Sequence, residues 1–271
     1  MAVVIVTGAS SGIGRVIAVR LAARGDTVVL AARRAAELAS VAAEIAAAGG
    51  TAVPVPTDVT DSRAVDALVE RALTVTGRID ALINNAGAGG DKSILADDAE
   101  VRAVVEVNLL APIRLMRAVV PIMREQGSGS IVNIGSVAGE IGISGIYSAT
   151  KFGLRGMNDS VRRELAGTGI GVTLVEPGHI ATDMTAHRSG LPGPEIVAAA
   201  VERALTRPRR RVVVPGKYRA AILLANALPA IPDRLYAGEA AGKKSRSTGN
   251  TDRTGGNEGP PDGKRGDGNS G

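Results

Sequence analysis

Seven short apolar runs, separated by longer segments with helical periodicity, constrain the fold of this 271-residue chain more than any other feature. The runs predict strands at residues 2–6, 27–32, 51–55, 79–83, 130–135, 170–175 and 211–214. The segments between them predict helices near 12–24, 35–47, 61–75, 98–125, 146–166 and 194–206. Strands that alternate with helices form a parallel sheet covered on both faces. The chain is therefore predicted to have a doubly wound α/β fold.

A sharp change in composition near the C-terminus predicts the domain organisation. Residues 242–271 contain nine glycines and no aliphatic or aromatic side chain except proline. Such a segment has too little to bury and is predicted to be disordered. We expect a single domain over residues 1–241, in which residues 218–236 form an apolar C-terminal extension.

The scarcity of cysteine, histidine and aromatic residues excludes several kinds of site. The chain has no cysteine, which excludes disulfides, thiolate catalysis and Cys-ligated metals. Only His179 and His187 could supply imidazole ligands, so no metal site is expected. With three tyrosines, one phenylalanine and no tryptophan, the chain is not expected to stack on nucleic-acid bases. The arginines at 207 and 209–211 are interpreted as a solvated helix end.

Neither end of the chain predicts export or membrane insertion. The first residues, M-A-V-V-I-V-T-G, lack the charged flank and longer apolar run of a signal peptide. The apolar stretch at 220–228 is too short to cross a bilayer. We expect a cytoplasmic protein without an integral membrane segment.

A glycine-rich turn, T-G-A-S-S-G-I-G, follows the first predicted strand and opens the next helix. Gly8, Gly12 and Gly14 would let the backbone approach a pyrophosphate, whose charge is favoured at a helix N-terminus. A tight turn without a ligand is the alternative interpretation. The same candidate site includes the residues between these glycines, Ser10, Ser11 and Ile13.

The end of the second predicted strand indicates which dinucleotide would bind. NAD-binding proteins usually place an acid there for the ribose 2′-hydroxyl, whereas a 2′-phosphate is met by arginine. Here Ala32 takes the place of the acid, and Arg33 and Arg34 follow. Because a guanidinium matches a phosphate in charge and geometry, we predict NADP(H). Two solvated arginines at a helix start are the alternative.

Tyr147 and Lys151 stand four residues apart, in Y-S-A-T-K, at the start of a predicted helix. This spacing places both side chains on one helix face. An ammonium about 5 Å from a phenol favours the phenolate by roughly two pK units, which would bring the tyrosine pKa toward neutrality. Such a phenol can act as a general acid and base.

The candidate motifs occur in an order that resembles the short-chain dehydrogenase/reductase family over residues 2–215. The family resemblance implies a Rossmann-type fold and the NADP(H)-dependent interconversion of a carbonyl and an alcohol. The motifs that carry it, after the glycine turn, are Asp58-Val59, N-N-A-G at 84–87, Asn108, Ser136, Tyr147 and Lys151.

The resemblance implies catalytic roles for four of these residues. Tyr147 would exchange the proton with the substrate oxygen, and Ser136 would hold the carbonyl with its hydroxyl. Lys151 would lower the pKa of Tyr147 and bind the nicotinamide ribose. Asn108 would keep Lys151 in a water-linked proton relay.

The resemblance also implies which residues line the cofactor cleft. Asp58 and Val59 would meet the adenine. The segment P-G-H-I-A-T at 177–182 looks like the family's nicotinamide loop. The remaining cofactor positions implied in this way are Asn85, Ala86, Gly87, Tyr147, Lys151, Pro177, Gly178, Ile180 and Thr182.

Several of these assignments have alternatives. Asn108 could be an ordinary polar helix residue, and Asp58 a helix cap. Thr182 and Asp183 could likewise form only the N-cap region of a short helix.

Two further residues compete for contacts with the substrate. Ser144 precedes Tyr147 by three residues, whereas Ser136 precedes it by 11. Ser144 is therefore a second candidate for the carbonyl contact. His187, in the glycine- and proline-rich loop A-H-R-S-G-L-P-G-P, could touch substrate or be simply exposed.

The C-terminal extension bears on the substrate. It does not resemble the ending of the family's bacterial ketoacyl-carrier reductases, and looks more like members that handle lipophilic ketones and alcohols. Such a segment could wall the pocket or touch a membrane surface. It could equally be a helix packed on the core or on a neighbouring subunit.

We therefore predict an enzyme acting on a small carbonyl or alcohol, with a non-catalytic dinucleotide sensor or scaffold as the alternative. A 3-oxoacyl thioester reductase is the alternative among enzymes. The resemblance implies a homodimer or homotetramer through the helices near 98–125 and 146–166.

Overall fold

The computed structural model describes residues 1–91, 93–182, 185–186 and 188–237. Residues Met1–Ala237 form one compact unit. The strands of the described chain are β1 Val3–Thr7, β2 Thr27–Ala32, β3 Thr51–Pro56, β4 Ala81–Asn84, β5 Gly129–Ile134, β6 Ile170–Pro177 and β7 Arg211–Val214. Its α-helices are α1 Gly12–Ala23, α2 Ala35–Ala47, α3 Ser62–Thr76, α4 Asp98–Val105, α5 Ala111–Gln126, α6 Gly145–Glu164, α7 Glu195–Thr206, α8 Tyr218–Ala227 and α9 Ala230–Tyr236.

The seven strands form one parallel sheet in the order β3-β2-β1-β4-β5-β6-β7. In the register, Ile5 of β1 pairs with Val29 of β2 on one side and with Leu82 of β4 on the other. The strand order reverses direction between β1 and β4, which is where open α/β sheets form a ligand crevice. The predicted doubly wound, seven-stranded parallel sheet is confirmed.

Helices cover both faces of this sheet because the strands are apolar on both sides. On one face α1, α2 and α7 bury Leu21, Leu38 and Val201 against strand residues. On the other face, α3, α5 and α6 bury residues that include Leu68 and Leu115 against the sheet. Buried strands of this kind are typical of parallel sheets.

The predicted helix at 98–125 is present, but it contains a π-helical turn that the sequence did not predict. Helix α4 ends at Val105, a π-helical segment covers Glu106–Leu110, and α5 starts at Ala111. The segment E-V-N-L-L contains neither glycine nor proline, so no residue type in it marks the break. π-helical turns of this length are often found at functional sites.

Helices α8 and α9 leave most of their apolar side chains exposed. Ile222 is buried and Tyr218 half-buried, but Leu223 and Leu235 are 73% and 69% exposed. The segment therefore packs on the rest of the described chain through few residues. In the described ranges, no helix combines the length and hydropathy that crossing a bilayer requires. The predicted tail at 242–271 lies outside the described residues.

Candidate functional site

The candidate site lies at the carboxyl ends of β1, β4, β5 and β6, where the predicted motifs meet. The glycine turn between β1 and α1 has no room for a side chain at Gly8 or Gly14. A Cβ on Gly14 would lie 2.2 Å from the carbonyl oxygen of Gly8, and one on Gly8 would lie 2.8 Å from Nδ2 of Asn85. Gly8 and Gly12 have φ of 66° and 53°, which favours glycine. Close packing of the turn against itself and against Asn85 therefore requires glycine at positions 8 and 14.

Thr7 and Asn85 join the glycine turn to the N-N-A-G segment. The Thr7 hydroxyl accepts hydrogen bonds of 3.0 Å from the backbone N–H groups of Asn85 and Ala86. The Asn85 amide donates to the carbonyl oxygens of Thr7 at 2.9 Å and Gly8 at 3.3 Å. Thr7 was not among the predicted site residues, although its place directly before the first glycine could have indicated it.

Arg34 reaches across the start of α1 to the serines of the glycine turn. Its guanidinium donates to the hydroxyl of Ser10 at 3.0 Å and to that of Ser11 at 2.9 Å. It also pairs with Glu37 at 3.4 Å, and it is exposed. This contact places a cation and two hydroxyls beside the turn, where a phosphate could bind.

Asp58 lies beside Arg33 and follows the last residue of β3 by two positions. Its carboxylate accepts from the backbone N–H of Thr60 at 2.9 Å and from the Thr60 hydroxyl at 2.7 Å. These hydrogen bonds, with the charge of Arg33, lower the pKa of Asp58. The cap of α3 is Asp61, which accepts from the N–H of Arg63 at 2.9 Å. Asp61 is therefore the N-cap of α3, and Asp58 caps the turn that leads into this helix.

A cleft of about 320 Å³ runs from the glycine turn to the end of β3. Its lining by Gly8, Arg33 and Asp58 fits the adenosine part of a dinucleotide, whereas Arg34, Tyr147 and Lys151 are not among its lining residues. Of the predicted cofactor residues, it is lined by Gly8, Arg33, Asp58, Val59, Ala86 and Gly87. It is also lined by residues that were not predicted, Ala32, Thr57, Thr60, Ala88, Ala103, Glu106 and Val107.

Asn108 lies in the π-helical segment and is fully buried. Its Oδ1 accepts from the N–H of Ala88 at 2.8 Å, and its Nδ2 donates to the Ala88 carbonyl at 2.8 Å. Nδ2 also donates to the Thr150 hydroxyl at 3.3 Å, and that hydroxyl donates to the Tyr147 carbonyl at 2.7 Å. Asn108 thus ties the loop after β4 to the first turn of α6, and Thr150 is a connecting residue that the sequence did not indicate.

Tyr147 and Lys151 lie on one face of α6, as their spacing predicts. The Lys151 ammonium is 5.6 Å from the centre of the Tyr147 ring and donates to the Ile134 carbonyl at 2.9 Å. Burial lowers the pKa of Lys151 to about 8. Burial also raises the pKa of Tyr147, although a hydrogen bond with Ser136 acts in the opposite direction. The predicted lowering of the Tyr147 pKa is therefore not found in the free protein, where desolvation of the phenol raises the pKa.

Ser136 follows β5 and begins a short 3₁₀ helix, Val137–Gly139. Its hydroxyl accepts from the N–H of Ala138 at 3.1 Å and lies close enough to the Tyr147 phenol to lower its pKa. Ser144, the other candidate, lies at the N-terminus of α6, where its N–H donates to the Ser148 hydroxyl at 3.0 Å. The structure brings Ser136 to the tyrosine despite the 11-residue separation.

The segment after β6 returns toward the glycine turn. The N–H of Gly178 donates to the Val214 carbonyl at 2.8 Å, and Ile180 is buried. A Cβ on Gly12 would lie 3.4 Å from the Thr182 methyl group. Thr182 therefore lies beside the start of α1, whereas Asp183 and His187 are outside the described residues.

This arrangement can carry out acid–base chemistry on a carbonyl. Tyr147 can donate its proton to a carbonyl oxygen, and the Ser136 hydroxyl can stabilise the developing alkoxide. A nicotinamide, when bound, supplies or accepts the hydride. Among the described residues, no group of three His, Asp or Glu side chains could hold a metal ion.

Known proteins share these features of sequence and fold. The family model described as short chain dehydrogenase matches residues 2–190. Ketoacyl reductase HetN of Nostoc sp. is 40% identical over 222 residues, which cover 78% of this chain and 77% of that protein.

Two solved structures have a similar fold over most of their length. Actinorhodin polyketide ketoreductase, in a variant form with NADPH, has a TM-score of 0.75 at 33% identity and covers 79% of this chain and 96% of its own. Levodione reductase has a TM-score of 0.77 at 30% identity, with coverage of 81% and 98%.

The relatives support an enzyme and not the non-catalytic dinucleotide sensor, because each of them is named a reductase. The family model covers well over half of the chain, and the catalytic pair follows the glycine turn in the matched region. The chain therefore belongs to the short-chain dehydrogenase/reductase family and is an NAD(P)H-dependent oxidoreductase.

Proposed function

We propose that this protein is an NADPH-preferring carbonyl reductase. The observation that carries the cofactor preference is the contact of Arg34 with the Ser10 and Ser11 hydroxyls, beside Arg33 and without an acid at position 32. A 2′-phosphate placed there would be held by charge and hydroxyl donors, whereas a 2′-hydroxyl would lack its usual carboxylate partner. The actinorhodin ketoreductase structure, which contains NADPH, supports the same choice.

Substitution of the two arginines tests this preference. We expect Arg33→Ala and Arg34→Ala each to weaken NADPH binding by about 10- to 100-fold and to leave NADH binding nearly unchanged, since each charged hydrogen bond contributes about 1.5–3 kcal/mol. Arg124→Ala is a matched control, because Arg124 pairs with Glu164 at 2.7 Å at the far end of α5. Titration of NADPH and NADH fluorescence measures both affinities, and an unchanged ratio in both variants would refute the preference.

The proposed catalytic set is Tyr147 as proton donor, Ser136 as carbonyl ligand, Lys151 as ribose ligand and Asn108 as the residue that positions α6. This assignment is supported by the influence of Ser136 on the pKa of Tyr147, which requires the two side chains to lie close together, and by the burial of Lys151 and Asn108. The cofactor residues would be those at the strand ends described above. The nicotinamide would lie between Tyr147 and the segment 177–182.

For the substrate we propose a lipophilic ketone. The support is structural: the Tyr218 ring occupies the space over Gly178, where a Cβ would lie 2.1 Å from a ring carbon. The apolar helix α8 therefore begins directly against the proposed nicotinamide segment. A 3-oxoacyl thioester is the second candidate, because HetN is named a ketoacyl reductase.

A panel of carbonyls separates these substrates. NADPH oxidation is measured with apolar cyclic and linear ketones and with 3-oxoacyl thioesters of matched chain length. Higher kcat/KM for the ketones supports the proposal, and higher kcat/KM for the thioesters selects the second candidate. NADPH binding without turnover of any carbonyl would contradict the reductase function.

The association of subunits and the cytoplasmic location stay predictions. Leu110, the residue before α5, and Phe152 of α6 are both about 40% exposed, which supports pairing of these helices between subunits. Contact of α8 and α9 with a membrane surface also stays a prediction, supported by the exposed Leu223 and Leu235.

A further inference from the structure

Two buried carboxyl groups lie beside the candidate site and have no part in the proposed proton transfer. Glu140 follows the 3₁₀ helix that Ser136 begins, and Glu176 is the residue before Pro177 in β6. They are 4% and 1% exposed. Charged residues are rarely buried to this extent without partners.

Glu140 has strong partners on two other elements. Its Oε1 lies 2.7 Å from Nη1 of Arg211, the first residue of β7, and its Oε2 lies 3.0 Å from Nη1 of Arg155 on α6. The same Arg155 nitrogen donates to the Gly139 carbonyl at 3.3 Å. Glu140 therefore joins the Ser136 loop to α6 and to the edge strand of the sheet.

The Glu176 carboxyl has weaker contacts with arginine than the Glu140 carboxyl has. The Nε of Arg211 is 3.7 Å from its Oε2, and neither oxygen has a hydrogen-bond partner by geometry among the described residues. The Glu140 carboxyl on the loop lies close enough to raise the pKa of Glu176. A proton shared between the two carboxyls would satisfy Glu176 without a second buried negative charge.

The loop that carries Ser136 is closely packed on both sides. A Cβ on Gly135 would lie 3.3 Å from Cγ of Glu176, and a Cβ on Gly139 would lie 2.9 Å from the Lys151 carbonyl oxygen. Small movements of Glu176 or of α6 are therefore transmitted to the loop. Ser136 lies between these two contacts.

We propose that Glu176, together with Glu140, Arg155 and Arg211, positions the Ser136 loop, so that the serine hydroxyl is held beside Tyr147. This inference rests on the proposed role of Ser136. Glu140 and Glu176 are positioning residues, because they act through the loop and do not touch the reacting atoms.

The state of the carboxyl pair depends on pH. Burial and the neighbouring Glu140 raise the pKa of Glu176 to about 8, although Arg211 and Arg155 act in the opposite direction. Arg210, which pairs with Asp159 at the edge of the cluster, also faces Glu140. When Glu176 ionises above this pH, two carboxylates face each other in a buried site, and their repulsion loosens the loop.

Hydrogen exchange of the free protein tests this inference without a substrate. After correction for the intrinsic effect of pH, we expect exchange of residues 135–143 to rise at least about threefold between about pH 7 and pH 9. Glu176→Gln, which keeps the carboxyl shape but cannot ionise, should abolish this rise. Glu140→Gln should abolish it too, because it removes the charge that raises the pKa of Glu176. Glu164→Gln, an exposed carboxylate on α6 paired with Arg124, is the control and should behave as the wild type.

Kinetics at about pH 7 provide a second measurement. We expect the double variant Glu140→Gln/Glu176→Gln, in which Arg155 and Arg211 lose their carboxylate partners, to lower kcat by about tenfold and to change NADPH affinity by less than about threefold.

If one single variant fails to fold, the other decides the exchange result. An equal rise in exchange in the wild type and the folded variants, or an unchanged kcat in the folded double variant, would overturn the inference. Failure of the wild type to reduce any carbonyl would instead contradict the proposed function, and exchange alone would then decide the positioning role.

Discussion

The ammonium group of Lys151 lies 5.6 Å from the ring centre of Tyr147 and is anchored to the carbonyl of Ile134, the last residue of β5. The lysine is buried, and its pKa falls to about 8, so it is charged at neutral pH. The tyrosine is protonated under the same conditions, because burial raises its pKa. A protonated phenol beside a cation is the form that can deliver a proton to a carbonyl oxygen during reduction.

Tyr147→Phe should remove the proton donor and leave the cofactor cleft in place. We expect kcat to fall by about 10²–10⁴-fold, with little change in NADPH affinity, because general acid catalysis contributes about this much. Steady-state kinetics and fluorescence titration measure the two quantities. Tyr236→Phe, at an exposed position on α9, is the control. Loss of NADPH binding in Tyr147→Phe would show that the tyrosine acts chiefly in binding.

The ionisation of Tyr147 can be observed directly, because the chain has only three tyrosines. Since burial raises the pKa of Tyr147 above its ordinary value, the phenolate absorbance near 295 nm should be equal in the wild type and in Tyr147→Phe up to about pH 10. A phenolate present in the wild type and missing from the variant below about pH 9 would contradict this prediction and would restore the sequence-based expectation.

Gly14→Ala should damage the cofactor cleft. The added methyl group would lie 2.2 Å from the Gly8 carbonyl oxygen and 2.5 Å from Nδ2 of Asn85, so the turn must move. We expect a loss of about 1–3 kcal/mol in the free energy of unfolding and at least about tenfold weaker NADPH binding.

Gly156→Ala is the matched control, because nothing lies within 4 Å of the added methyl group on α6. It should raise the free energy of unfolding by about 0.5–1 kcal/mol, since alanine favours a helix over glycine. Denaturant unfolding measures both variants. Normal NADPH binding by Gly14→Ala would show that the turn is not in contact with the cofactor.

Asn108→Ala should release the loop after β4 from α6. The N–H and carbonyl of Ala88 lose their partner, and we expect a loss of about 1–3 kcal/mol in the free energy of unfolding. The first turn of α6 also loses the hydrogen bond to Thr150, so kcat should fall. Asn226→Ala, at an exposed site on α8, is the control and should have no measurable effect. A stable Asn108→Ala protein with full activity would refute the role of Asn108 in holding α6.

The fold was predictable because apolar runs such as V-V-I-V and T-V-V-L-A-A are short, buried on both sides and separated by helical segments. The π-helical turn at Glu106–Leu110 was not predictable, because its residues also suit a regular α-helix. Helices α8 and α9 were foreseen only as an apolar extension. Their exposure depends on what the rest of the chain leaves uncovered, and a local pattern does not contain that information.

The site was predictable where chemistry depends on spacing along the chain. The four-residue interval fixed Tyr147 and Lys151 on one face, and the glycines of the turn indicated close backbone approach. The direction of the Tyr147 pKa was not predictable, because desolvation depends on packing in three dimensions. The same applies to Glu140 and Glu176, since a glutamate in a sequence usually indicates a solvated position.

Because Glu106–Leu110 forms a π-helical turn, the orientation of Asn108 in the site depends on the number of residues in this segment. One extra residue in a turn rotates everything that follows by about 100° relative to a regular helix. Deletion of one residue of the segment other than Asn108 would restore a regular helical turn, and the Asn108 amide that holds Ala88 would then face another direction relative to α5. Changes of side chain on the exposed surface of α4 and α5 can be tolerated here, whereas a change of length cannot.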